Sequence, residues 1–88
     1  MGDSMYESIR HELLVMRDEL KQSLYRNTAS TNPQVRQYIQ DDLDDVERAL
    51  LKLEIGVFGV DESTGAQIPY HKLSALPTAR TEEEIIYH

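Results

Sequence analysis

Apolar residues fall at Tyr6, Ile9, Leu13, Met16, Leu20 and Leu24, and again at Val35, Ile39, Leu43, Val46, Leu50, Leu53 and Val57. Steps of three and four place each set along one narrow stripe of an α-helix. A single-stripe helix cannot stand alone, because its apolar face gains stability only when another face covers it. Between the stripes, residues 26–32 are polar and turn-prone. Pro33 fits the first turn of a new helix, with Asn32 or Thr31 as its cap. Two stripes of matching length and a short connection predict an antiparallel coiled-coil hairpin over residues 1–56. Ser4 and Glu7 form a capping box at the start of the first helix, and Gly56 stops the second. Tyr25, Tyr38 and Leu51 lie beside the stripes, where they either pack on the flanks or face a partner.

Beyond Gly56 the helical period is lost. Residues 57–60 and 66–68 read as two short strands around a polar knuckle at residues 61–65. A helical turn is expected at residues 69–73. Thr81 and Glu84 form a second capping box, so a short helix is expected from Glu82 toward His88. The fold class is therefore mainly α: a two-helix hairpin, then a small module over residues 57–88 with a short β-hairpin and a C-terminal helix, the whole making one compact unit.

A chain of 88 residues is marginal without a staple, and with no cysteine it has neither a disulfide nor a thiolate metal site. Sixteen acidic residues against nine basic ones give a net charge of -7, which disfavours direct nucleic-acid binding, since that rests on Lys and Arg meeting phosphates. No apolar run reaches the length of a membrane span, and residues 1–4 lack a signal-peptide pattern, so a cytoplasmic protein is expected. The acidic excess concentrates at Asp41, Asp42, Asp44, Asp45 and Glu47 and at residues 82–84. No phosphate loop, nucleophile setting or acid-base pair is present, so no catalytic residue and no cofactor are assigned and the chain is not expected to be an enzyme.

The module has a recognisable framework. Phe58, Gly59, Gly65 and Ile68 are followed by Leu73, Ala75, Pro77 and Ala79. This resembles the C-terminal zinc finger of the DksA/TraR family: aromatic-Gly-x-Cys-x-x-Cys-Gly-x-x-Ile, then Arg-Leu-x-Ala-x-Pro-x-Ala-x-x-Cys-x-x-Cys. The resemblance is in register over residues 50–85, and the preceding hairpin agrees with that family's architecture. Laid on its pattern, the four ligand positions hold Asp61, Thr64, Glu82 and Ile85. Two oxygen donors, at most, do not make a tetrahedral zinc site, so the module is expected to be a metal-free, zinc-finger-like unit. Asp61 is expected to hold the loop by accepting backbone N–H groups two or three residues on, and Ile85 to pack against Phe58, Ile68 or Leu73.

The resemblance further implies a regulator of transcription that binds bacterial RNA polymerase at its secondary channel. The family's best-studied members carry acidic residues at the hairpin tip, whereas here residues 25–36 contain no carboxylate. Partner binding would then fall to Asn27 and Thr28 at the tip and to Asp41, Asp42, Asp44 and Asp45 on the second helix. The alternative is a hairpin that associates with a second copy as a homodimer, with no polymerase role.

Overall fold

The computed structural model describes residues 5–26 and 32–86. Four helices are present in chain order: α1 (Glu7–Arg26), α2 (Pro33–Ile55), α3 (Tyr70–Ala75) and α4 (Glu82–Ile86). The first two are the expected hairpin and pack against each other. At about 1.5 Å per residue they run roughly 30 and 35 Å, which matches a molecule 43 Å in its longest dimension. Ser4, Asn27, Thr28, Thr31 and His88 lie outside the described residues.

Both ends of α2 follow from local chemistry. The side chain of Asn32 accepts the N–H of Gln34 at 2.8 Å and leaves Pro33 to open the helix, so the one residue without an N–H stands where no helical partner exists. At the other end Gly56 adopts φ +82° and the N–H of Val57 reaches back to the carbonyl of Lys52 at 2.9 Å. This is a Schellman closure, which requires the left-handed conformation that glycine adopts without penalty.

The stripes are buried unevenly. Ile9 and Leu13 on α1 and Leu43, Val46 and Ala49 on α2 are buried, whereas Met16, Leu20, Leu24, Ile39, Leu50 and Leu53 are half-buried. Val35 and Val57, expected to end the second stripe inside the seam, are 45% and 46% exposed. Two helices alone cover only a strip of each other, and full burial requires a third surface. The module supplies that surface only at the open end of the hairpin, where Phe58, Ile68 and Leu73 join Ile9, Leu13, Val46 and Ala49 in one cluster. Each buried side chain of this size contributes about 1.5 to 3 kcal/mol, so hairpin and module share a core. Tyr25, Tyr38 and Leu51 are all exposed rather than packed along the flanks.

The expected β-hairpin of the module is not formed among the described residues. The segment makes one isolated antiparallel bridge, Val60 with Gln67. Two hydrogen bonds flank it: the N–H of Asp61 to the carbonyl of Ala66 at 2.8 Å, and the N–H of Ile68 to the carbonyl of Gly59 at 2.7 Å. Gly59 stands at φ +89°, which bends the chain out of the extended conformation one residue before the bridge and prevents a longer ladder. The gap left by the absent Gly59 side chain is filled. A Cβ there would lie 2.5 Å from Nε2 of Gln67 and 3.1 Å from both the Tyr6 hydroxyl and Cδ1 of Leu73.

Candidate functional site: a carboxylate-centred knuckle docked on a helical hairpin

The knuckle is built around Asp61, which is 5% exposed. Its Oδ1 accepts the N–H of Ser63 at 2.8 Å, the N–H of Thr64 at 3.1 Å and the hydroxyl of Ser63 at 2.8 Å. Its Oδ2 accepts the N–H of Glu82 at 2.9 Å. One carboxylate therefore ties the loop at 61–65 to the first turn of α4. Four donors aimed at one anion favour its charged form. The Glu82 N–H is the largest influence, followed by the Ser63 hydroxyl, and together with the Ser63 and Thr64 N–H groups they outweigh the opposing effect of burial. The Asp61 carboxyl is held at about 2, below its ordinary 3.8.

Thr64, Glu82 and Ile85, the other positions aligned with the ligands of the resembling finger, make ordinary protein contacts. Thr64 gives its N–H to Asp61 and accepts the N–H of Ala66 on its hydroxyl at 3.2 Å. The Glu82 carboxylate pairs with the Lys72 ammonium. Ile85 is half-buried against the core cluster that contains Phe58, Ile68 and Leu73. Asp61 thus ties Thr64 and Glu82 into the knuckle, while Ile85, three residues further along α4, joins the core. The capping box of α4 forms as well: Glu84 Oε2 accepts the N–H groups of Thr81 at 3.1 Å and Arg80 at 2.8 Å, and the Glu84 N–H reaches the Thr81 hydroxyl at 3.4 Å.

Charged side chains lash this unit to α2. Glu62 receives Arg48 at 2.9 Å on both oxygens and is paired with Lys52, while its own N–H meets the carbonyl of Arg80 at 2.8 Å. The Lys52 ammonium and then the Arg48 guanidinium hold the Glu62 carboxyl below its usual range. Arg80 reaches Asp45 at 3.0 Å. On the far side Tyr6 meets Phe58 edge to face at 5.1 Å, stacks with Tyr70 at 6.3 Å and receives Nε2 of Gln67 on its hydroxyl at 3.1 Å.

The aspartates of α2 do not form one free patch. Asp45 is engaged by Arg80, and Asp41 and Asp44 each accept a bond at 2.9 Å from a glutamine one turn earlier, Gln37 and Gln40. Asp42 is exposed at the rim of a groove on the α1–α2 seam, beside Met16, Glu19, Leu20 and Ser23. The Asp45–Arg80 pair, the Glu62 network and the burial of Ala49 are absent from the sequence reading. The signal available for the second was only that Arg48 and Lys52, four residues apart, fall on one side of α2.

This arrangement defines a small helical-hairpin protein whose open end is closed by a compact knuckle module. Among the described residues, no helix is long and apolar enough to cross a membrane. The chain is 41% identical to the uncharacterized protein YlyA of Bacillus subtilis (strain 168) over 100 aligned positions, which cover 99% of this chain and 80% of that protein. It belongs to the family of YlyA. It is also 43% identical over 54 residues to general stress protein 16O of the same organism, covering 61% of this chain and 33% of that protein. A third similar protein, the uncharacterized YteA, is 42% identical over 45 residues, covering 51% of this chain and 19% of YteA. No family model matches the chain, and no solved structure matches it.

Proposed function

We propose that this protein is a non-enzymatic regulator of transcription that resembles the DksA/TraR proteins and binds RNA polymerase in the cytoplasm, presenting its hairpin to the secondary channel. The observation that carries the reading is the Asp61 clasp. Asp61, Thr64 and Glu82, three of the positions that align with the zinc ligands of the resembling finger, are tied together by the Asp61 carboxylate and its N–H donors. A zinc-finger-like framework without zinc accounts for Gly59, Ile68, Leu73 and the Thr81–Glu84 cap together. Further support comes from the hairpin, which projects beyond the shared core as an arm of two helices. The general stress designation of one relative is compatible with a role in adjusting transcription.

The protein would act by occupying space and by hydrogen bonding, since residues 25–36 hold no carboxylate. Copurification with core RNA polymerase tests the proposal. Retention at micromolar concentration, lost on competition with a known secondary-channel ligand, is the expected result. No retention of the unaltered protein ends the polymerase reading.

A further inference from the structure

The uncovered parts of the seam are rimmed by different charges on the two flanks of the hairpin, although Arg10 and Arg17 are already paired with Glu7 and Asp18. On α1, Arg10, Arg17 and Lys21 recur at steps of seven and four and so share one side of the helix. Glu12 and Glu19, seven apart, share the other. Each flank carries a groove where the apolar seam is left uncovered. One has room for about 330 Å³ and is lined by Leu24, Tyr25 and Leu43 between Lys21 and Arg36. The other has room for about 250 Å³ and is lined by Met16, Leu20 and Ser23 between Glu19 and Asp42. Lys21 also faces Glu47 at 3.8 Å, with both side chains about half exposed. Among the described residues, Arg36 has no ion pair.

We infer that the two grooves are complementary docking surfaces for a second copy of this chain, the cation-rimmed flank of one hairpin seating against the carboxylate-rimmed flank of the next. The occupant follows from the charges. A partner for the first groove needs apolar side chains with acids beside them, and Met16 and Leu20, with Glu19 and Asp42 at their rim, supply both. Like flank on like flank would set Lys21 and Arg36 against their own copies, or Glu19 and Asp42 against theirs, and such juxtapositions are disfavoured. The contact is therefore heterologous, and repeated use of it adds copies head to tail rather than closing at two. Met16, Leu20 and Leu24, half-buried in the single chain, gain cover in such a contact. Paired copies would hide the same flanks that an inserted hairpin exposes, so assembly and polymerase binding would compete.

A mixing experiment tests this by sedimentation equilibrium. The unaltered protein is expected to rise in mass with concentration past two chains. Arg36→Gln with Lys21→Gln removes the cationic rim, and Glu19→Gln with Asp42→Asn removes the acidic one. Each double variant alone should remain at one chain. An equimolar mixture of the two should form a complex of two chains and no larger species, because each partner brings the one groove the other has lost. Helical circular dichroism equal to that of the unaltered protein confirms folding, and Arg36→Gln alone serves if Lys21→Gln disturbs the Glu47 pair. A wild type that stays at one chain or stops at two, single variants that still assemble, or a mixture that remains at one chain would each overturn the inference.

Discussion

The carboxylate of Asp61 accepts the backbone N–H of Glu82 across 21 positions of sequence, at 2.9 Å. The same side chain closes its own loop through Ser63 and Thr64. A single anion thereby performs the two tasks of a structural metal: it satisfies converging donors, and it holds two distant turns at a fixed separation. Unlike a thiolate zinc site, it satisfies those donors without a deprotonated thiol.

The first prediction follows from that substitution. Thermal unfolding should be unchanged after exhaustive treatment with a chelator, whereas Asp61→Ala should lower the midpoint by more than Asp42→Ala does. Loss of folding on metal removal, with one zinc recovered per chain, would contradict the carboxylate clasp.

Acid stability supplies a second test. The Asp61 carboxyl titrates at about 2 in the folded chain against an ordinary 3.8, so the unfolded chain binds this proton more readily than the folded one. Its contribution to stability is then fully present above about pH 4 and is lost as the pH falls toward 2. Glu62, also lowered by Lys52 and Arg48, adds loss of the same sign. Denaturant midpoints of the unaltered protein should decline through this window. In Asp61→Asn the decline should be shallower, leaving mainly the Glu62 share. Identical slopes in the two proteins would show that the clasp is not ionised as described.

Core substitutions should separate according to the third surface that the module provides. Leu13→Ala, at a position with no exposure, should cost about 2 to 5 kcal/mol. Leu50→Ala should cost less, because Leu50 is half-buried. Asp42→Ala should stay within about 0.5 kcal/mol. Urea denaturation of the three variants measures the order, and equal losses at Leu13 and Leu50 would mean that the seam is buried evenly.

Gly59 and Gly56 should respond differently to alanine, although both have positive φ. At Gly56 a Cβ meets no atom within 4 Å, so only the cost of a left-handed backbone applies, about 1 to 2 kcal/mol. At Gly59 it meets Gln67, Leu73 and Tyr6, and overpacking adds about 1 to 3 kcal/mol. Tyrosine fluorescence during unfolding reads the second effect directly, since Tyr6 lies at the point of contact.

How far these features were legible in the sequence depends on the range of the interaction. The helices were, because their period, Pro33, Gly56 and the Thr81–Glu84 box act within one or two turns of chain. The local half of the Asp61 clasp was legible for the same reason, as an aspartate bonding two and three residues ahead. Its reach to the Glu82 N–H was not, because that N–H belongs to a helix start whose position depends on packing of Leu73 and Ile85. Val35 and Val57 continue the period faithfully yet stay exposed, since periodicity records which face a residue takes and not whether anything covers it. Ala49 was passed over because a methyl group carries little apolar weight, although it is buried beneath the module. The two strands failed on length: with Gly59 at φ +89° only the Val60–Gln67 bridge can pair.

The acidic face of α2 yields the last prediction, which bears on polymerase binding. Asp45 is already bonded to Arg80 at 3.0 Å, so reversing it would unseat the module and confuse binding with folding. Asp41 and Asp44, which lie outside the grooves and are bonded to Gln37 and Gln40, report on charge. If a basic surface of the polymerase steers the hairpin, Asp41→Lys with Asp44→Lys should slow association and weaken the complex roughly 10-fold at low salt. The difference should shrink toward about 1 M salt, where charges are screened within about 3 Å. Glu62→Gln, which loosens the Arg48 and Lys52 contacts without touching the aspartates, should weaken binding only to the extent that it lowers the thermal midpoint. Equal affinity of the double reversal and the unaltered protein at low salt would remove the acidic face from the interface. The hairpin's apolar seam would then be the surface through which a partner is held.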